Sequence, residues 1–360
     1  MKRFKQIFAF ILLITIAFSL FSCAPKGSVL DLSYFNTAIH IETHDKALDK
    51  KTQDALADLL NDIETRFDLK NENSLLNKFN SSSENTNFTL SQMEMEVLTV
   101  AKDCYDFSEK DFNPAVYPLT KLWQFTPTYP VLDFIIPDKS SIVSALALTD
   151  FNSLFLDTEE KTLTKTKGSV KIDLGGIVKG YAAESLSKIL TDAGHLSGYV
   201  NVGGSSINLL KTDSLGIRHP RANADAQTIL TVDTKDLNNV NVSTSGDYQR
   251  YYEKDGVRYS HIISSKTGYP TDTGVISVTV IGGDGAFLDA VTTAACLKEH
   301  NSISTENSEL VKFLNKIIER YQFAQVYAVY DKDGIKQLIT NATENQTFTL
   351  HDKSYSIVKI

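Results

Sequence analysis

Cysteine is scarce: 360 residues hold three, at positions 23, 104 and 296. Cys104 and Cys296 stand too far apart in sequence to announce a disulfide framework. No Cys/His cluster with zinc-ligand spacing accompanies them. Both are expected as small buried side chains. An excess of positive charge is also missing. The formal net charge is −8, and an acidic body does not suit a phosphate backbone, so nucleic acid is not an expected partner. There is no internal repeat of fixed period and no long low-complexity segment. Long apolar runs are absent beyond the N-terminus. What remains is ordinary globular composition, 42% hydrophobic and 22% charged, in a chain long enough for one large domain or two smaller ones.

The one long apolar run, "IFAFILLITIAFSLF", follows Lys2, Arg3 and Lys5 and precedes "SC". Basic residues before an apolar segment shorter than a comfortable membrane span read as a signal peptide. The stretch "LFSC" resembles a bacterial lipobox, which makes Cys23 the lipidated, palmitate-bearing first residue of the mature protein. The alternatives are a signal peptide cut nearby with Cys23 unmodified, or an uncleaved anchor. The body is expected outside the cytoplasm, tethered to a membrane it does not span. The expected organisation is a leader over 1–22, a tether over 23–30 and a domain over 31–360.

Along that domain, "LSYFNTAIHIETHD" alternates like a half-buried strand and "KKTQDALADLLNDIETRF" carries helical spacing. "NENSLLNKFNSSSENTN" reads as loop. "SQMEMEVLTVAKDCYDFS" reads as a helix with Ser91 as N-cap. "DFNPAVYPLTKLWQF" holds two prolines and the single tryptophan, and reads as a structured loop plus a short helix. From residue 169 strands and helices alternate: "SVKIDL" as a strand, "VKGYAAESLSKILTDAG" as a helix ending at Gly194, and "GYVNVGG" as a strand. "DYQRYYEKDGVRYSHII" reads as a hairpin turning at Asp255-Gly256. "VISVTVIGG" as a strand and "GAFLDAVTTAACLK" as a helix follow, then another helix and two closing strand regions. Hairpins grouped around helices indicate an α+β fold rather than a doubly wound parallel sheet.

Four glycine-bearing stretches punctuate the second half: "DLGGIVKGY", "NVGGSS", "STSGDYQRYY" and "SHIISSKTGYP". They offer Asp173, Lys179, Ser205, Thr244, Ser245, Asp247, His261 and Thr267, an inventory suited to an anion. Glycines before a helix let N–H groups approach a phosphate, or merely form a tight turn. Lys179, near a helix N-terminus, sits against the helix dipole, as a residue facing an anion would. Asp289 and Thr293 lie four apart and share one helical face. They would supply hard oxygen ligands suited to Mg²⁺. Each also has a plainer reading: Asp289 as a capping carboxylate, Thr293 as a packed side chain, His261 as a satisfied structural histidine.

Taken in order, these segments resemble the ApbE family, the FAD:protein FMN transferases. "DFNPAVYPLTKLWQF", "IDLGGIVKGYAAESL", "VNVGGSSI", "STSGDYQRYYEKDGVRYSHIISSKTGYP", "VTVIGGDGAFLDAVTTAA" and "SLLNKFN" each match a family segment. The likeness runs from about residue 32 to beyond 330. It implies an ApbE-like, T-fold-related α+β architecture of mixed sheets and packed helices, with two lobes around a flavin cleft. It implies Mg²⁺-dependent transfer of FMN from FAD to a Ser or Thr hydroxyl of a target flavoprotein, with AMP released. FAD pyrophosphatase activity, or flavin binding without chemistry, are the alternatives. Asp289, Thr293 and the Gly176 carbonyl would be metal ligands. Asp173, Lys179 and His261 would contact FAD, as would the backbone of Asp111, Phe112 and Asn113. His261 and Asp289 would be catalytic, with His261 either a general base or a phosphate contact. The aromatic residues of the N-terminal half would form the flavin slot.

Several positions depart from the family pattern. Ser264-Ser265 replace Asp-Pro, Asn113 and Ser205 replace aspartates, and Thr292 stands where some members carry a second metal carboxylate. Lys70 stands where an aromatic residue is common.

Overall fold

The computed structural model describes residues 27–126, 129–221 and 227–360. The leader, Cys23 and residues 24–26 of the tether lie outside these. In chain order the first elements are β1 (Ser28–Tyr34), β2 (Thr37–Thr43), α1 (Lys50–Phe67), α2 (Leu75–Ser81), β3 (Thr86–Thr89), α3 (Gln92–Phe107), α4 (Tyr117–Leu122) and α5 (Lys139–Leu146). Then come β4 (Leu154–Asp157), β5 (Thr162–Lys165), α6 (Val178–Asp192), β6 (Gly198–Val202), β7 (Ser206–Lys211), β8 (Ser214–Arg218), β9 (Thr228–Asp233) and β10 (Val240–Gly246). The chain closes with β11 (Tyr251–Lys254), β12 (Val257–Ser260), β13 (Val275–Ile281), α7 (Gly285–Ala295), α8 (Glu309–Arg320), β14 (Gln325–Lys332), β15 (Ile335–Thr340), β16 (Phe348–Leu350) and β17 (Ser356–Lys359).

A nine-stranded sheet in the order β1-β2-β6-β7-β10-β13-β14-β15-β17 forms the centre. Every neighbouring pair is antiparallel except β15–β17. Small sheets β16-β9-β8, β3-β5-β4 and β11-β12 complete the strands. The α+β expectation therefore stands. Helices α1, α6, α7 and α8 cover one face over the largest core cluster, while β8, β9 and β16 cover the other. With both faces covered, β13 ("VISVTVI") is buried at all seven positions, and its sequence is apolar apart from the buried hydroxyls of Ser277 and Thr279. A third cluster gathers Leu119, Trp123, Phe125, Ile142, Tyr252 and Ile263 into an aromatic lobe beside β11–β12.

Three expectations need correction. "LSYFNTAIHIETHD" is not one strand but the β1–β2 hairpin, turning through Phe35 (φ 40) and Asn36 (φ 55). Two adjacent positive-φ residues make the tight turn whose twist suits a hairpin. The loop assigned to "NENSLLNKFNSSSENTN" contains α2, whose Ser74 side chain caps the Asn77 N–H. "SVKIDL" belongs to no sheet. The Asn80 side chain takes both backbone groups of Ile172, at 2.8 and 2.9 Å, and the Asp173 N–H goes to the Pro114 carbonyl at 2.8 Å. With its hydrogen bonds met by a side chain and a loop, this segment needs no partner strand.

Other expectations hold. Ser91 caps α3 with a full capping box to Glu94, Gly194 ends α6 at φ +80, and Asp255-Gly256 turn the β11–β12 hairpin with positive φ. Cys104 and Cys296 are buried free thiols, each pushed up by burial.

Candidate active site

The site begins at the crossing of α6 and α7. A Cβ on Gly180 would lie 2.0 Å from the Gly285 carbonyl, and one on Gly285 would lie 2.5 Å from the Gly180 carbonyl. Only glycine at both positions allows the helices to approach this closely. The helix α7 is apolar and buried along nearly its whole length. Asp289 sits in it with 2% exposure. A buried carboxylate persists as an ion only if it is paired and hydrogen-bonded. The close crossing provides those partners. The Gly180 N–H reaches Asp289 Oδ2 at 3.1 Å, and the Ser243 hydroxyl donates to Oδ1 at 3.2 Å. The Lys179 ammonium lies 3.4 and 3.5 Å from the two carboxylate oxygens.

The N-terminus of α6 has no side-chain cap. Its Gly180 N–H faces a resident carboxylate from another helix instead. Gly175 and Gly176 have ordinary negative φ and form the turn into the helix.

Beside Asp289 lies a net of hydroxyls. Thr293 Oγ1 is 3.0 Å from Ser245 Oγ, and Ser245 Oγ is 2.9 Å from Thr292 Oγ1. A Cβ on Gly176 would be 3.9 Å from Thr293 Oγ1, so the "DLGG" turn packs directly against this corner. Asp289, Thr293 and the Gly176 backbone are thus brought together as expected. The donor set is one carboxylate and several hydroxyls, all hard oxygens. Among the described residues no group of three His, Cys, Asp or Glu forms a multi-ligand metal site. A single carboxylate with hydroxyl neighbours fits Mg²⁺, which keeps waters and shares its substrate's phosphates, and does not fit zinc.

These groups open onto a cleft of about 700 Å³ between the main sheet's helical side and the aromatic lobe. Asp111, Phe112, Asn113, Asp173, Gly176, Lys179, His261, Asp289 and Thr293 all line it. So do Phe35 and Asn36 at the tip of β1–β2, with Lys70 nearby.

The His261 ring donates from Nδ1 to the Arg250 carbonyl at 3.1 Å, since a carbonyl can only accept. That leaves Nε2 unprotonated. Burial, with the Arg250 and Lys179 charges, holds the imidazole down to about 3, so the ring is neutral at ordinary pH. Asp173 turns back to accept the Gly175 N–H at 2.8 Å. Burial pushes its carboxyl above the usual range.

Three of the singled-out residues have their side chains committed within the protein: Asp111, whose backbone alone was expected to meet FAD, and Asp247 and Thr267 of the anion-binding set. The Asp111 carboxylate is committed to Lys266 and Lys298, each at 2.6 Å, so its backbone and not its side chain is left for a ligand. Asp247 points away from the cleft into a bidentate pair with Arg221 at 2.6 and 2.7 Å. Thr267 serves its own turn, accepting from the Tyr269 N–H. Ser243, Gly180, Arg250 and Lys298 were missed. The first two had a usable signal: Ser243 stands two residues before Ser245 on one strand face, and Gly180 lies inside a helix, where glycine is unfavourable without a packing reason.

Comparison with known proteins decides the family. The ApbE family model matches residues 35–310. The chain belongs to the ApbE family. Among curated ApbE relatives, the FAD:protein FMN transferase of Klebsiella pneumoniae is 32% identical over 205 residues, which is 57% of this chain and 62% of that protein, somewhat under two thirds of its length. The enzyme of the same name from Haemophilus influenzae is 26% identical over 80% of this chain and 86% of its own. The crystal structure of the ApbE protein from Thermotoga maritima superposes with a TM-score of 0.72 at 26% identity, covering 85% of this chain and 94% of that one. The flavin transferase ApbE from Vibrio cholerae shares the fold with a TM-score of 0.72 at 23% identity, covering 86% and 94%.

Proposed function

We propose that this chain transfers FMN from FAD to a Ser or Thr hydroxyl of a target flavoprotein and releases AMP. Family membership and relatives named FAD:protein FMN transferase support the coarse part, an enzyme that moves flavin out of FAD. The observation that carries the finer part is the convergence of Asp289, Thr293, Lys179 and a neutral His261 on one cleft.

Asp289, Thr293 and the Gly176 carbonyl would hold Mg²⁺, which supplies charge neutralisation at the pyrophosphate when bound. Lys179 adds a mobile point charge for the phosphates. The acceptor hydroxyl attacks the FMN-side phosphorus. A new P–O bond forms there and the P–O bond to AMP breaks. His261 Nε2, free and unprotonated, takes the hydroxyl proton, its ring oriented by the Arg250 carbonyl. A ring held neutral suits a base better than a cationic phosphate clamp. Phe112, Phe125 and Tyr129 in the cleft wall supply aromatic surface for the isoalloxazine.

Residues 31–360 would form the transferase domain, tethered outside the cytoplasm through a lipid on Cys23. The basic start, the apolar run and "LFSC" support that placement. No helix among the described residues is long and apolar enough to cross a membrane.

The test is intact-mass spectrometry of an acceptor domain incubated with residues 24 onward, FAD and Mg²⁺, with and without EDTA. A gain of one FMN, lost in EDTA and matched by AMP, supports the reading. AMP with free FMN and no labelled acceptor would replace it with a pyrophosphatase. FAD recovered intact would replace it with a flavin binder.

A further inference from the structure

Lys179 lies in the first turn of α6, where the helix dipole repels a cation. It is nevertheless held there, its ammonium spanning both oxygens of Asp289 at 3.4 and 3.5 Å. Asp289 is 2% exposed, and Lys179 is its only cationic partner among the described residues. A buried carboxylate left with hydrogen bonds alone would be strongly unfavourable. In the free enzyme, then, Lys179 supplies the positive charge that the carboxylate requires.

We infer that Lys179 is an internal counter-ion that occupies the cation position of the free site and yields it only when nucleotide phosphates arrive. The inference rests on the reading of Asp289 and Thr293 as metal ligands. A monovalent ammonium and a divalent cation cannot both sit against one buried carboxylate without further negative charge. A pyrophosphate brings that charge. The ammonium then has a second anion to move to, and the carboxylate is released to the metal. Room for the movement is built in. The Lys179 stem runs beside the Gly203-Gly204 turn, where a Cβ on Gly203 would be 3.7 Å from Lys179 Cδ and a Cβ on Gly204 would meet nothing within 4 Å. The consequence is ordered loading: metal binds weakly to the free protein and firmly only together with the nucleotide.

The experiment measures Mn²⁺ binding by electron paramagnetic resonance on residues 24 onward, without flavin and with ADP. It compares the natural protein with Lys179→Met and Lys179→Arg. Lys179→Met is expected to bind Mn²⁺ at least about tenfold more tightly without nucleotide, with a smaller gain on adding ADP. Lys179→Arg, which keeps the charge, is expected to stay weak. Equal or weaker Mn²⁺ binding by a folded Lys179→Met protein would overturn the inference. If that variant fails to fold, Lys179→Gln takes its place under the same criterion. Asp289→Asn separates the two layers of argument. If it binds Mn²⁺ as well as the natural protein, the metal-ligand reading itself fails. If it binds none while Lys179→Met is unchanged, only the counter-ion role fails.

Discussion

At the scale of single residues, the site works by denying charged groups their usual solvent. His261 shows this most directly. Burial, then the positive charges of Arg250 and Lys179, hold its imidazole down to about 3, well below the ordinary value near 6.5. A folded-state value below the unfolded one means that the unfolded chain binds the extra proton between those limits. Stability from this residue is therefore complete above about 6.5 and is lost as pH falls towards 3. Urea midpoints at pH 7.5 and 5.0 should fall further on acidification for the natural protein than for His261→Gln. Identical falls would show that the ring titrates normally in the fold. The same property leaves Nε2 unprotonated across the neutral range while weakening it as a base until phosphate charge enters the cleft. Arg250, which sequence reading passes over, and Lys179, which it takes as a phosphate contact, thus also keep the ring uncharged.

At the scale of elements, two helices are brought together by missing side chains. Gly180→Ala should drive its methyl into the Gly285 carbonyl, 2.0 Å from the Cβ position. The Gly180 N–H would lose Asp289 as the helices part. We expect a loss of about 3 kcal/mol, at the upper end of overpacking effects, read from urea unfolding. Gly204→Ala is the contrast. Its φ is +72 but its surroundings are open, so only the left-handed backbone is penalised, by about 1 kcal/mol. Equal losses at the two positions would refute the close-crossing account. Legibility followed the same division. Helical spacing, the capping box at Ser91 and the turn at Asp255-Gly256 are local signals, and the elements they announce are present. The β1–β2 turn was hidden because Phe35 is not a residue that advertises positive φ. The "SVKIDL" segment has strand composition, but its hydrogen bonds are met by Asn80, more than ninety residues away. The glycines of "DLGG" drew attention to a turn, whereas the glycine the site depends on is Gly180, one turn into the helix. The Lys266–Asp111–Lys298 clamp joins three segments distant in sequence, and no spacing rule reaches across them.

At the scale of the whole molecule, the cleft divides a large sheet-and-helix body from a small aromatic lobe, and the single tryptophan belongs to the lobe. Trp123 is fully buried, its Nε1 donating to the Gly268 carbonyl at 2.9 Å and its ring stacked on Tyr259 with centroids 5.7 Å apart. Phe125, two residues on, lines the cleft, with its ring centroid 6.3 Å from that of His261. Trp123 therefore stands one side chain behind the proposed flavin slot. Its emission should be blue-shifted, as in a dry apolar site. FAD should quench it, because flavin absorbs where tryptophan emits and the two rings would be close. Binding and chemistry then become separable in one protein. Asp289→Asn keeps the aromatic wall intact, so FAD added with excess Mg²⁺ should still quench Trp123. The same variant should lose turnover by about 10²-fold or more, the scale at which removal of one electrostatic contact to a transition state is felt. Saturable quenching without turnover would place flavin recognition in the lobe and reaction chemistry in the α6–α7 crossing. If natural protein that turns over FAD shows no quenching, the flavin ring lies elsewhere, and the aromatic wall of this cleft has only a structural role.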